Sequence, residues 1–157
     1  MNAPFQMIDG RAAGSSPLQI DTRVGEEELA RFLAVMPQST PFHSEAWGRA
    51  VEAATGHKWH LLAARDADKQ LVGVVPLHHI RSPLFGSALV SAGFAVDGGI
   101  LVNDERAMPL LADAAIALAK DVGCPGVDLR GGALPAGWMI DADTYLGFGR
   151  PLAADRD

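Results

Sequence analysis

Hydrophobic residues recur every three or four positions in two early stretches of the chain and one long late stretch, and gather into short blocks between them. In the first stretch Leu29, Phe32, Leu33 and Met36 follow Glu26, Glu27 and Glu28. Acidic side chains in a first turn suit the positive end of a helix dipole, so the pattern predicts an amphipathic helix ending before Pro37. After the turn-like QSTP a second helix is predicted. Ser44 is placed to cap it, Trp47, Val51 and Ala54 share one face, and Gly56 stands where a left-handed C-terminal residue is favoured.

From Lys58 the period changes. WHLLAAR, the polar turn DADK and LVGVVPLHHI read as two strands of an antiparallel hairpin. Residues 71–75 are apolar on both faces, which marks a central strand, and Pro76 cannot donate to a ladder, so the regular strand is expected to break there. Further strands are predicted at 88–91 and 100–102, on either side of GFAVDGG. Asn103 or Asp104 then caps a long helix with Met108, Leu111, Ala115, Leu118, Ala119 and Val122 on its apolar face, although Pro109 blurs its start. Gly123 ends that helix, and 127–129 reads as a short buried strand. Residues 1–23 form a loosely held arm with one short strand at 18–20, residues 24–138 one domain, and residues 139–157 a linker-like tail. The order of elements predicts an α/β fold: a mixed, mostly antiparallel sheet of five or six strands, flanked by helices that bury Trp47, Val51, Leu111 and Leu118.

Composition narrows the function classes. The 157 residues are 48% hydrophobic and 20% charged, ordinary usage for one domain. A net charge of −6 with 13 scattered basic residues does not supply the clustered cationic surface that nucleic acid requires, so no direct DNA binding is expected. No stretch approaches the ~18 apolar residues of a membrane span, and the N-terminus lacks a basic segment followed by an apolar one. The cytoplasm is the expected compartment. Cys124, the single cysteine, reads as a small buried residue. Of the five histidines, His43, His57, His60, His78 and His79, only the last two are close. Neighbours on a strand point to opposite faces, and with no HExxH or CxxC spacing no metal is expected. GxSxG is absent, so covalent catalysis is not expected either.

The segments TPFHSEAWGRAVEAATGHKWHLLAAR, LVGVVPLHHIRSPLFGSALVSAGFAVDGGILV and CPGVDLRGG together resemble the FemAB-related proteins associated with PEP-CTERM and exosortase systems. The resemblance runs from about 40 to 151 and implies a GNAT-like fold, the N-terminal half of an acyltransferase built from two such halves. It further implies transfer of an acyl or aminoacyl group to an amine in cell-envelope or exopolysaccharide metabolism. The acceptor would be a small molecule or glycan precursor, the donor aminoacyl-tRNA or acyl-CoA in the complete protein, and no resident cofactor is implied. Members of the family continue into a second half, whereas this sequence ends at Asp157. The chain is therefore expected to be incomplete alone and to pair with a second GNAT-like half or with itself. The Gln/Arg-x-x-Gly-x-Gly/Ala turn that seats pyrophosphate in single-domain GNAT enzymes is missing, so tight binding of free acetyl-CoA is not expected. The alternative is a non-catalytic module of the same fold that holds an acceptor or a protein.

Within that frame GFAVDGG is the leading site candidate. Gly98 and Gly99 would let backbone approach a ligand, or would form a plain turn between strands. Asp97 would orient or deprotonate the amine, or would be an exposed loop carboxylate. Arg81, in RSPLFG, could hold a carboxylate or phosphate, with Leu84 and Phe85 beside it as core or cover residues. Arg130, followed by Gly131 and Gly132, stands just past a strand, where open α/β sheets place ligands; its plain reading is a solvated or salt-bridged arginine at a strand terminus.

Overall fold

The computed structural model describes residues 16–84 and 86–141; Phe85 and the outer parts of the predicted arm and tail lie outside them. The described residues form one six-stranded sheet in the order β1 (Gln19–Asp21), β2 (Lys58–Arg65), β3 (Leu71–Ser82), β4 (Gly86–Ser91), β6 (Val127–Asp128), with β5 (Leu101–Val102) also on β3. Every pairing is antiparallel except β4 with β6. The fold is thus the mixed, mostly antiparallel α/β sheet that the hydrophobic period predicts. No described helix is long and apolar enough to cross a membrane.

Strand alternation sorts the sheet's side chains onto two cores. Leu61, Ala63, Leu71 and Val74 pack with Leu29, Phe32 and Met36 of and just after α1 (Glu26–Ala34). Leu62, Ala64, Leu77 and Leu89 pack on the other face with Leu111, Ala112, Ala115 and Ala119 of α3 (Ala107–Asp121). The helix α2 (Glu45–Thr55) shares the first face, its Gly48 lying directly on the Trp59 ring. Its ends are as predicted: the Trp47 N–H donates to Ser44 Oγ at 3.2 Å, and Gly56 adopts a φ of 74°. Val51 and Leu111 are buried, but Trp47 and Leu118, predicted to be equally so, are half-buried. Trp47 stands edge-on to Phe42 with centroids 4.8 Å apart and donates its Nε1–H to Gly93 O, which holds it at the margin of the core.

Three predicted boundaries shift. The edge strand covers Gln19–Asp21, within the sequence-defined arm. The third helix begins at Ala107, not at Asn103 or Asp104: the Asp104 carboxylate accepts the Arg106 N–H at 3.0 Å in a turn of its own, and Pro109 then falls in the first helical turn, where its missing N–H costs no bond. The strand predicted at 127–129 is only two residues long, and neither is fully buried. Leu84, expected as core or cover, is 87% exposed at the tip of the β3–β4 hairpin.

Pro76 does not break its own strand. β3 runs without interruption through it, and the neighbouring strand stops instead. The Ala92 N–H donates to Pro76 O at 3.2 Å, but proline has no N–H to return, and Ala92 O accepts the Ala95 N–H at 3.0 Å. The chain turns out of the ladder there, with φ of 44° at Ala92 and 64° at Phe94. Residues 92–100 stand opposite Val75 and Pro76 alone before β5 resumes the ladder at Val74 and Gly73. β4 and β5 are therefore two parts of one line along β3, and the GFAVDGG segment is a large bulge between them.

Candidate functional site

The bulge packs against the segment that follows β6. The Gly98 N–H donates to Arg130 O at 2.9 Å, and the Arg130 N–H donates to Ser91 Oγ at 2.7 Å. The two glycine pairs of the sequence meet here. A Cβ on Gly99 would lie 1.8 Å from Gly131 O, and one on Gly98 would lie 2.0 Å from the Ala92 Cβ. These positions are glycine because two backbones touch, and the Gly98 N–H is committed to Arg130 rather than to a ligand.

The other wall comes from the 3-10 turn Pro41–His43, which precedes α2. Thr40 Oγ1 donates to Asp97 O at 2.5 Å, and His43 Nε2–H donates to Gly99 O at 3.2 Å. His43 Nδ1 accepts the Thr40 N–H at 3.1 Å, which fixes the ring as the Nε2–H tautomer. Burial holds the His43 pKa below the ordinary histidine range, against the Gly99 carbonyl and the Asp97 carboxylate, which favour a charged ring. Asp97 is thus fixed through its own carbonyl and through the two residues after it.

Between these walls lies a cleft of about 550 Å³, lined by Gln38, Thr40, His43, Asp97, Ile100, Leu101, Val102, Gly132 and Ala133. Its electrostatics are one-sided. Asp97 brings a carboxylate, burial keeps His43 neutral, and among the described residues no lysine or arginine lines the space. The remaining lining is apolar side chain, backbone, the Gln38 amide and the Thr40 hydroxyl. Such a site favours a cation that can shed part of its hydration, such as an alkylammonium group, over an anion.

The structure gathers Asp97, Gly98, Gly99 and Arg130 and leaves Arg81 apart. Arg130 is salt-bridged to Asp128 (Nε to Oδ2, 3.1 Å) and donates from Nη1 to Ala95 O at 3.3 Å. It borders a separate groove of about 450 Å³, together with Ile80, Ser82, Val90 and Phe94. Arg81 is exposed, opposite Ser87 in the ladder, and alternation turns it to the other face from Ile80 and Ser82. His43 was not singled out as a site residue by the sequence. The available signal was Thr40-Pro41-Phe42-His43, the spacing at which a third-position side chain bonds back to the capping residue's N–H. Among the described residues no group of three or more His, Cys, Asp or Glu side chains is arranged to hold a metal ion. The turn that opens α3 is acidic, with Asp104 and Glu105, and contains no glycine.

No family model matches the chain, and no curated protein matches it. Solved structures do. A ribosomal-protein-alanine N-acetyltransferase from Brucella melitensis biovar Abortus 2308 superposes with a TM-score of 0.56 at 19% identity, covering 83% of this chain and 98% of that one. A GNAT family acetyltransferase from Staphylococcus aureus gives 0.51 at 13% identity, over 86% of this chain and 98% of that one. A Trypanosoma brucei acetyltransferase gives 0.51 at 13%, over 80% and 99%. At these identities the likeness is one of fold: the chain has a GNAT-like fold.

Proposed function

We propose that this protein seats an amine acceptor for acyl transfer, as the N-terminal GNAT-like half of a FemAB-type acyltransferase acting with a second such half. The observation that carries the reading is the cleft beside Asp97, with an exposed carboxylate on a backbone held by Thr40 and His43, a neutral histidine and no cation among its described lining residues. The GNAT-like fold supports acyl transfer as the reaction class. The sequence resemblance supports the FemAB type, the second half, and a cytoplasmic role in envelope or exopolysaccharide metabolism.

In this reading an acceptor ammonium enters the cleft and pairs with Asp97. The carboxylate orients it and takes one of its protons, and the nitrogen lone pair attacks the acyl carbon of an ester or thioester donor. The C–N bond forms as the donor C–O or C–S bond breaks. The donor and the groups that stabilise its oxyanion are assigned to the second half. The Arg130 carbonyl, which accepts the Gly98 N–H, and the Gly98–Gly99 backbone shape the site and leave the chemistry to Asp97.

The test is transfer by the two-half protein carrying Asp97→Asn, which keeps the shape and removes the base. Loss of a positioned general base costs about 10²- to 10⁴-fold, so kcat/KM is expected to fall by at least about 100-fold. Undiminished transfer would remove Asp97 from the mechanism and with it this reading of the cleft.

A further inference from the structure

We infer that His43 and His78 are paired positioning residues of the Asp97 site, pinning the two ends of the 92–100 bulge to the helical layer as neutral rings of one tautomer. The two rings make the same pair of bonds at opposite ends of the bulge. His43 Nδ1 accepts the Thr40 N–H at 3.1 Å, and its Nε2–H donates to Gly99 O at 3.2 Å. His78 Nδ1 accepts the Gly93 N–H at 3.0 Å, and its Nε2–H donates to Gly48 O of α2 at 3.3 Å. Both rings are buried. Trp47 adds a third tie at the His78 end, through its Nε1–H to Gly93 O at 3.3 Å.

This arrangement spans residues that no local pattern connects. Phe94 and Ala92 hold positive φ without being glycine, a conformation that persists only where surrounding contacts enforce it. The His78 bond to the amide between them is such a contact. At the other end, the Asp97 and Gly99 carbonyls are held by Thr40 and His43 from one short turn. Asp97 therefore sits on a loop clamped at both ends, which is what a group that must meet an amine in one geometry requires.

The Nδ1 bond of each ring needs it neutral. A second proton has to enter on Nδ1, where a backbone N–H already points, so that bond is lost, although at His43 the Thr40 hydroxyl 3.0 Å away can accept the new N–H. The charges facing the rings oppose one another: Asp97 favours a charged His43, and Glu52 favours a charged His78, while His57 disfavours a charge there. Burial is the leading influence on both rings and keeps them neutral. Acidification is expected to release the bulge at Gly93 and the turn at Thr40, while the His43 bond to Gly99 O persists.

The positioning role rests on the proposed function, but the pins are testable without it. In the 157-residue chain, imidazole 15N shifts at neutral pH should report Nε2–H for both rings. Amide exchange at Thr40 and Gly93, corrected for intrinsic rates, should speed up by up to about tenfold per pH unit as the pH falls and the rings titrate, while core amides of α3 hold steady. Glutamine can accept and donate but cannot be protonated in this range. His43→Gln should therefore flatten the pH response at Thr40, and His78→Gln that at Gly93. An Nδ1–H tautomer, or exchange that ignores pH in the wild type, overturns the pins even if neither variant folds. Flat exchange with a large Asp97→Asn transfer defect would reject the pins and keep the function. The opposite result would reject the function and leave the pins as a property of the loop alone.

Discussion

Arg65 joins three parts of the chain through its guanidinium. Nε binds Asp21 at 2.8 Å, Nη1 and Nη2 bind the two oxygens of Glu28 at 2.6 and 2.9 Å, and the remaining donors reach the carbonyls of Lys69 and Arg23. This ties β2 to the edge strand β1 and to the first turn of α1. Both carboxyls are held below their ordinary pKa values of 3.8 and 4.5, Asp21 first by the Arg23 N–H and then by Arg65, Glu28 first by Arg65. A carboxyl whose folded pKa is depressed contributes stability that is complete above its unfolded pKa and is lost as pH falls through the folded value. The network's contribution should therefore be complete above about pH 5 and be lost progressively as pH falls below the ordinary carboxyl values and through the lower folded ones. Arg65→Met is expected to cost about 1–3 kcal/mol at pH 7, with the gap to wild type narrowing at pH 3. Urea unfolding at the two pH values measures it, and an equal gap at both would show that the packing of the side chain, not its charge, matters. The sequence does not reveal this hub, because its carboxylate partners lie 44 and 37 residues away. His43 was missed for the same reason, its Nε2 partner being 56 residues distant.

At the scale of elements, helix punctuation was legible and strand interruption was misplaced. Ser44, Gly56 and Gly123 act within a turn of their own positions, so their roles follow from local chemistry. Pro76 signals the absence of an N–H, but which strand suffers depends on the residue opposite, and Ala92 is 16 positions onward. The glycine pair in GFAVDGG was readable as a special backbone segment. That it packs against Gly131 and Gly132 was not, since that contact is made by pairing across the sheet. Pro76→Ala tests the account of the bulge. The new N–H would face Ala92 O and compete with the Ala95 N–H for it. Protection of the Ala95 amide from exchange should fall severalfold while amides of α1 keep theirs, and unchanged protection at Ala95 would mean that other contacts make the turn.

Among the described residues, apolar side chains stand exposed in several places, two of which concern the sheet's far end. In the stretch 86–100, Leu89, Val90, Ala92, Ala95 and Ile100 belong to the core. Exposure remains at Phe94 (59%) and Val96 (53%), with Leu84 at the neighbouring hairpin tip. The second place follows β6, where Leu134, Met139 and Ile140 are exposed. Interfaces between domains of one chain commonly bury on the order of 600 to 1,500 Å², and exposed apolar patches of several hundred Å² tend to find partners. A net charge of −6 opposes self-association, but the repulsion is screened beyond about 8 Å at physiological salt, whereas apolar burial is not. The chain alone is therefore expected to self-associate through the Leu84, Phe94 and Val96 surface, with a second GNAT-like half competing for the same face. Sedimentation over a wide concentration range should show a reversible monomer–oligomer equilibrium that strengthens with added salt. Leu84→Glu combined with Val96→Glu should shift it to monomer without loss of fold, because neither side chain contributes to either core. A species that stays monomeric throughout, and that also ignores an added second half, would mark the chain as a self-sufficient module and remove the two-half reading of its function.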